Sequence, residues 1–176
     1  MKPRHLILLP LLLLSCSPKK IEPKAAEVAV KTVPETLFLC VVGEATPAQI
    51  SEFAEKSIGP LFETLGKLGQ QPAGSLEFIC PSWQGENAKM KIIFAIPIAK
   101  EFPVEAPYYI WKAPAFKCAW AEYKGPMSGI KDAWMKFGGE VEQSGNKADN
   151  SVREVYLNWA APESADNRTE LQMGVE

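Results

Sequence analysis

One extended segment of the chain carries both an acid and a phenol. In Val152-Arg153-Glu154-Val155-Tyr156-Leu157-Asn158-Trp159 the carboxylate and the phenol stand two positions apart, so a strand sets them side by side on one face. Alternation places Val152, Glu154, Tyr156 and Asn158 on that face and Val155, Leu157 and Trp159 on the other. The second, apolar face is the one predicted to pack on helices. A glutamate beside a tyrosine is then either a solvated surface pair or the polar centre of an amphipathic cleft. Other chemistries find no residues. The only histidine, His5, lies in a leader segment, so the mature chain has no imidazole for Ser-His or Cys-His catalysis or for a metal. Cys40, Cys80 and Cys118 form no C-x-x-C pair, which leaves the usual zinc and redox motifs unmatched. They read as small apolar strand residues, unpaired and interior. No metal or other cofactor is expected.

The leader is MKPRHLILLPLLLLSC. Lys2 and Arg4 precede an apolar run from Leu6 to Leu14, too short for a stable transmembrane helix and typical of a secretory signal. Its end, Leu13-Leu14-Ser15-Cys16, resembles the bacterial lipobox. That resemblance implies cleavage after residue 15 and diacylation of Cys16 with chains such as palmitate. Residues 16–34, SPKKIEPKAAEVAVKTVP after the cysteine, are rich in proline and lysine and lack aromatics, which predicts a flexible tether. Some 18 such residues reach roughly 23 Å, enough to hold a domain clear of lipid headgroups. Ser17 is not the aspartate that retains lipoproteins in the inner membrane of many diderm bacteria. The expected address is therefore the outer membrane of the bacterial cell envelope, facing the periplasm.

The remainder, residues 35–176, is the length of one globular domain. Over the whole chain a hydrophobic content of 47% and a charged content of 23% are those of a folded protein. The net charge of −2 becomes about −4 once Lys2 and Arg4 are removed. Nucleic acid is not expected as a partner, because its binding needs a basic face.

This domain can be read twice. Phe38-Leu39-Cys40 and Phe116-Lys117-Cys118 share a Phe-x-Cys pattern, their cysteines 78 residues apart (118 − 40). Each strand is followed by a helix start: Thr46-Pro47-Ala48-Gln49 is a capping box with proline at the first helical position, and Gly125-Pro126 stands in the same place. Ile50, Phe53, Ala54, Leu61, Leu65 and Leu68 follow at helical spacing, as do Ile130, Ala133, Trp134, Phe137 and Val141. Gly59-Pro60 predicts a kink in the first helix, and Gly138-Gly139 a weakening of the second. Segments 76–83 and 152–159 then correspond, with Trp159 lying 76 residues after Trp83 (159 − 83), and final strands run from Met90 to Ile98 and from Thr169 to Val175. The expected fold class is α+β: tandem pseudo-twofold β-α-β-β repeats, about 35–100 and 106–176, as antiparallel sheets backed by two helices with a central cleft. Such junctions favour ligands.

Residues Ala115 to Pro126, Arg153 to Asn158 and Thr169 to Val175 resemble the GyrI-like small-molecule-binding family, the effector-binding domain of AraC- and MerR-type activators. The second half matches better than the first. Gly174 stands where the family usually has proline, which Pro97 keeps in the first half, and Trp120 replaces a small apolar residue. The resemblance implies an SHS2-like two-repeat fold whose cleft takes hydrophobic, often cationic, small molecules. It also implies a pocket role for the glutamate of the Glu-x-Tyr motif, carried here by Glu154 with Tyr156. Phe78 and Cys80 are expected on the equivalent face of the first half, and Trp111, Trp120, Tyr108 and Phe94 as walls. In that setting a cation restores what burial takes from the carboxylate, and aromatic faces add cation–π attraction of roughly 0.5 to 2 kcal/mol each.

Two functions follow from the resemblance. The first is a lipid-anchored binder of a small molecule, its membrane contact made through Cys16 and its DNA-binding segment absent. The alternative is a hydrolase of strained electrophilic molecules of the cyclopropane type, with Glu154 and Tyr156 or Trp120 as catalytic residues. Binding is the expectation taken forward.

Overall fold

A computed structural model describes residues 28–176; the leader, Cys16 and most of the expected tether lie outside the described residues. The strands are β1 (Ala29–Val33), β2 (Thr36–Ala45), β3 (Glu77–Cys80), β4 (Met90–Pro97), β5 (Tyr108–Ala113), β6 (Phe116–Lys124), β7 (Ala148–Asn158) and β8 (Arg168–Val175). The helices are α1 (Ile50–Lys67) and α2 (Ile130–Gln143), each entered through a short 3-10 turn. At the first entry, the Gln49 side-chain oxygen accepts both the N–H and the hydroxyl of Thr46, at 3.1 Å each. Pro60 lies within α1, which continues to Lys67, and Gly138-Gly139 lies within α2.

The two expected sheets are one. Eight antiparallel strands run in the order β1-β6-β8-β7-β3-β4-β2-β5, and the halves fuse where β3 pairs with β7. There Phe78 opposes Glu154, Glu77 opposes Val155 and Ile79 opposes Arg153. Phe78 and Glu154 are the residues that the 76-residue offset makes equivalent (154 − 78), so the pseudo-twofold axis passes through this one pair. Each half also contains a strand beyond the β-α-β-β plan. β1 pairs with β6 although β2 follows it in sequence, and β5 pairs with β2 although β6 follows it. The halves thus exchange their leading strands. The prolines and lysines around residues 29–33 predict tether, but the Ala-Val-Lys-Thr-Val run is a ladder partner of β6, and the boundary of the folded region moves back accordingly.

Both helices cover one face of the sheet, α1 over β2 and β4 and α2 over β6. Leu61 and Leu65 of α1 pack with Leu39, Phe78, Ile92 and Phe94, while Phe137 and Val141 of α2 pack with Ala119, Leu171 and Val175. Truncating a fully buried leucine such as Leu61 typically costs 2 to 5 kcal/mol. The face without helices has its own apolar cluster, Phe38, Cys40, Ile79, Ile93, Ala95 and Ala113, roofed by Tyr109 and Trp111. Cys40, Cys80 and Cys118 are all buried with free thiols. Burial pushes the Cys40 thiol up to about 12 and that of Cys118 to about 11, so neither supplies a thiolate nucleophile.

A chain beginning at residue 35 should fold less stably than one beginning at residue 28. It loses five cross-strand pairs on β6, each contributing about 0.2 to 1 kcal/mol. Urea unfolding of the two chains should therefore differ by roughly 1 to 5 kcal/mol, and equal stabilities would reject β1 as part of the domain.

Candidate functional site

The centre of the site is set by strand register. Phe78 and Glu154 oppose each other on the helix side of the sheet, Cys80 lies beside Val152 on the same face, and Leu171 opposes Glu154 from β8. Helices α1 and α2 stand over different halves, which leaves this central pair between them. From α2, the Trp134 indole N–H donates to Glu154 Oε1 at 2.7 Å, and the Tyr156 hydroxyl donates to Glu154 Oε2 at 2.8 Å. Both carboxylate oxygens are thus held by neutral donors. Glu154 is 8% exposed, and burial raises its pKa above the ordinary carboxylate value against the opposing effect of those two bonds. Among the described residues no cation lies close enough to shift it. The Tyr156 hydroxyl is raised well above its usual pKa, by burial first and then by the neighbouring carboxylate; it stays protonated and remains a donor.

The two donors to the carboxylate, Trp134 and Tyr156, and its cross-strand partner Phe78 are all aromatic, and further rings pack on them. Phe53 stacks on Phe94 at 5.8 Å, Phe94 meets Phe78 at 5.7 Å, Trp134 meets Phe137 at 5.9 Å, and Trp159 meets the Tyr156 ring edge-on at 5.9 Å. Trp134 packs against the cores of both halves, so the residue that orients Glu154 also bridges the repeats.

Of the sequence-predicted residues, the structure brings together Glu154, Tyr156, Phe78 and Cys80, with Phe94 and Tyr108 in the same cluster. Trp111 and Trp120 are elsewhere. Trp111 stacks on Phe38 at 6.0 Å on the face without helices. Trp120 opposes Gln172, with Lys31 Nζ 4.7 Å from its ring. Their strands carry Tyr108 and Ala119 toward the helices, and alternation sends the tryptophans the other way. The face assignment of β7 is also reversed. Val152, Glu154 and Tyr156 face the helices, whereas Leu157 is exposed and Trp159 lies beyond the strand end, half in solvent. Alternation grouped the residues correctly, but a single strand does not say which group meets the core. Helical spacing marks Trp134 only as core; the signal for its second role is an indole N–H on an apolar stripe, which needs an acceptor when buried.

On the opposite face, Arg153 and Glu77 form a buried pair at 3.8 Å. Burial pushes the Glu77 carboxyl up to about 7, against the pull of Arg153. Nearby, Lys31 and Glu170 pair at 2.5 Å.

The sequence model of the GyrI-like small molecule binding domain matches residues 26–176. No curated protein matches the chain. Among solved structures, the EcmrR C-terminal domain is 21% identical with a TM-score of 0.73, over 85% of this chain and 97% of that one. In the EcmrR–DNA complex the identity is 22% and the TM-score 0.73 over 85% of this chain, which spans 57% of that one. SAV2435 bound to tetraphenylphosphonium is 13% identical with a TM-score of 0.63, over 85% of this chain and 94% of that one. A hydrolase from Listeria innocua is 17% identical with a TM-score of 0.53, over 90% of this chain and 96% of that one. At these identities the likeness to each is one of fold.

The two raised carboxyls set a pH dependence. Between 4.5, the ordinary value, and about 7, Glu77 keeps its proton in the folded state and loses it in the unfolded one, so stability falls as pH rises. From pH 5 to 8 the loss should be on the order of 3 kcal/mol, with Glu154 contributing in the same direction. Urea unfolding across that range should show the fall, and Glu77→Gln should flatten most of it; a variant as steep as the parent would contradict the assignment.

Proposed function

This chain belongs to the GyrI-like small molecule binding domain family, and from that premise we propose that it is a lipid-anchored envelope protein that binds a hydrophobic cation in the cleft between its repeats. One observation carries the reading. Glu154 is a buried carboxylate whose neighbours are two neutral donors and a set of aromatic rings. Burying such a charge is costly without a partner, so a cationic ligand supplies what the fold leaves out, and the rings bind its apolar body. That SAV2435 is bound to tetraphenylphosphonium lends support to this ligand class and supplies a probe. Ligand binding ionises the carboxyl. Affinity therefore rises with pH through the raised pKa of Glu154, since only the ionised form attracts the cation.

The hydrolase reading draws support from the same carboxyl, because a raised pKa beside a tyrosine suits a general acid or base. Consumption of ligand separates the two: a binder returns its ligand unchanged.

Titration of the full chain with tetraphenylphosphonium should give a complex that Glu154→Gln weakens roughly ten- to a hundredfold, the equivalent of about 1.5 to 3 kcal/mol for a charged contact. The neutral analogue triphenylphosphine oxide should lose little, and the pH dependence should vanish with the charge. Glutamine keeps one acceptor for Trp134 or Tyr156, so the pocket shape survives. Glu163, which accepts from Ser128 Oγ at 2.7 Å in an exposed loop, is the control, and Glu163→Gln should change nothing. Equal losses for the cation and the neutral analogue would remove Glu154 from the site.

The anchor rests on the Leu13-Leu14-Ser15-Cys16 sequence, and the outer membrane is favoured by Ser17. Cells of a diderm host fed an alkyne-tagged palmitate should label the wild-type chain and not Cys16→Ala. Absence of label on the wild type, or equal label on both, would overturn the anchor.

A further inference from the structure

Across the sheet from Glu154 lies a cavity of about 390 Å³, within the range of small-molecule sites. Ile79 and Ile93 line it from the central strands, Tyr109 and Trp111 from β5, and Phe116 from β6. Lys91 and Arg153 bring positive charge to it. Arg153 precedes Glu154 on β7 and so points to the opposite face, which sets the Arg153 side of the cavity on the other side of the sheet from the Glu154 carboxylate.

The Arg153 guanidinium is unusually placed. It is 5% exposed, and its central carbon lies 4.0 Å from the centroid of the Phe116 ring. Its carboxylate neighbour, Glu77, stands at 3.8 Å, beyond hydrogen-bond distance, and Glu77 Oε2 has no partner. A guanidinium carries five N–H donors in a planar fork that fits a carboxylate with two parallel bonds. Glu77 does not meet that fork, and the cavity opens beside it.

An irregular turn brings Asp149 and Ser151 to the lining. A register shift between Ala148 and Val152, with Asn150 at φ 67, swings Asp149 and Ser151 over Gly174. A Cβ at position 174 would lie 2.2 Å from Ser151 Oγ and 2.3 Å from Asp149 Oδ1, so only glycine lets the wall close. Asp149 Oδ1 accepts the Ser151 N–H at 2.8 Å and also the Ser151 hydroxyl, which engages the one carboxylate of the lining within the turn.

We propose that this cavity is a second ligand site, one that takes a flat organic anion: an aromatic carboxylate of one or two rings. Its carboxylate meets the Arg153 fork with Lys91 alongside, and its ring lies among Tyr109, Trp111 and Phe116. Aromatic stacking and the planar ion pair both require flatness, and together they separate this ligand from the bulky cation of the cleft.

The test is calorimetric titration of the full chain with 2-naphthoate, with 2-naphthamide as the uncharged probe. One site is expected, with the amide at least tenfold weaker. Arg153→Gln should weaken 2-naphthoate tenfold or more. Lys91→Glu, an exposed substitution that leaves the fold intact, should do the same and keeps the test decisive if Arg153→Gln does not fold. Glu154→Gln should leave the affinity unchanged. No binding of 2-naphthoate at millimolar concentration, equal affinity for acid and amide, or indifference to Lys91→Glu would each overturn the proposal. So would a marked gain in Glu154→Gln, because it would put the anion in the cleft.

Discussion

The antiparallel pairing of β3 with β7 is the contact on which the rest of the molecule depends. Four residues of β3 meet four of β7, and this short ladder joins the two halves at the centre of the sheet. Because Phe78 and Glu154 face each other on the pseudo-twofold axis, every other pair is generated in duplicate: Glu77 with Val155 on one side implies Ile79 with Arg153 on the other. A slip of one residue would turn Glu154 to the helix-free face and Arg153 toward the helices. The register is pinned by what each face would then have to bury, a guanidinium among leucines and phenylalanines.

That pairing also explains why the two faces of one strand hold opposite charges in different states of satisfaction. Glu154 is stabilised by the Trp134 and Tyr156 donors, worth about 1.5 to 3 kcal/mol each when the acceptor is ionised, and it lacks a cation. Arg153 has an anion, Glu77, but not hydrogen-bond geometry toward it. Buried groups left in this condition cost stability. They lie at the central junction of the two repeats, and a site at a repeat junction can draw on two sets of side chains.

The exchanged leading strands do a different job. β1 and β5 are the edges of the sheet, and each attaches to the half other than the one it leads into, β1 to β6 and β5 to β2. The exchange ties the halves at their outer margins as β3 and β7 tie them at the centre. It also brings Tyr109 and Trp111 over the helix-free face, giving a sheet with helices on one side only an apolar cover on the other.

Much of this was legible in the residues. The repeat offset, both helices and six of the eight strands follow from apolar periodicity and capping residues, because those signals are local. The grouping of Glu154 with Tyr156, and of Phe78 with Cys80, follows from alternation, which belongs to the backbone of a single strand. What alternation cannot carry is the choice of face. Val155, Leu157 and Trp159 are the more apolar set, yet Val152, Glu154 and Tyr156 meet the helices, because the register with Phe78 and Leu171 is decided by neighbouring strands. β1 and β5 were hidden for a related reason: their partners lie in the other repeat, and a short run between prolines has no local signal strong enough to reveal a distant ladder. Trp134 meeting Glu154, Trp111 and Trp120 turning away, and Gly174 lying beneath Asp149 are likewise products of packing between segments far apart in the chain. The sequence by itself determined which elements form and which residues share a side; only the tertiary structure decided which sides face each other, since that depends on the simultaneous burial of both halves.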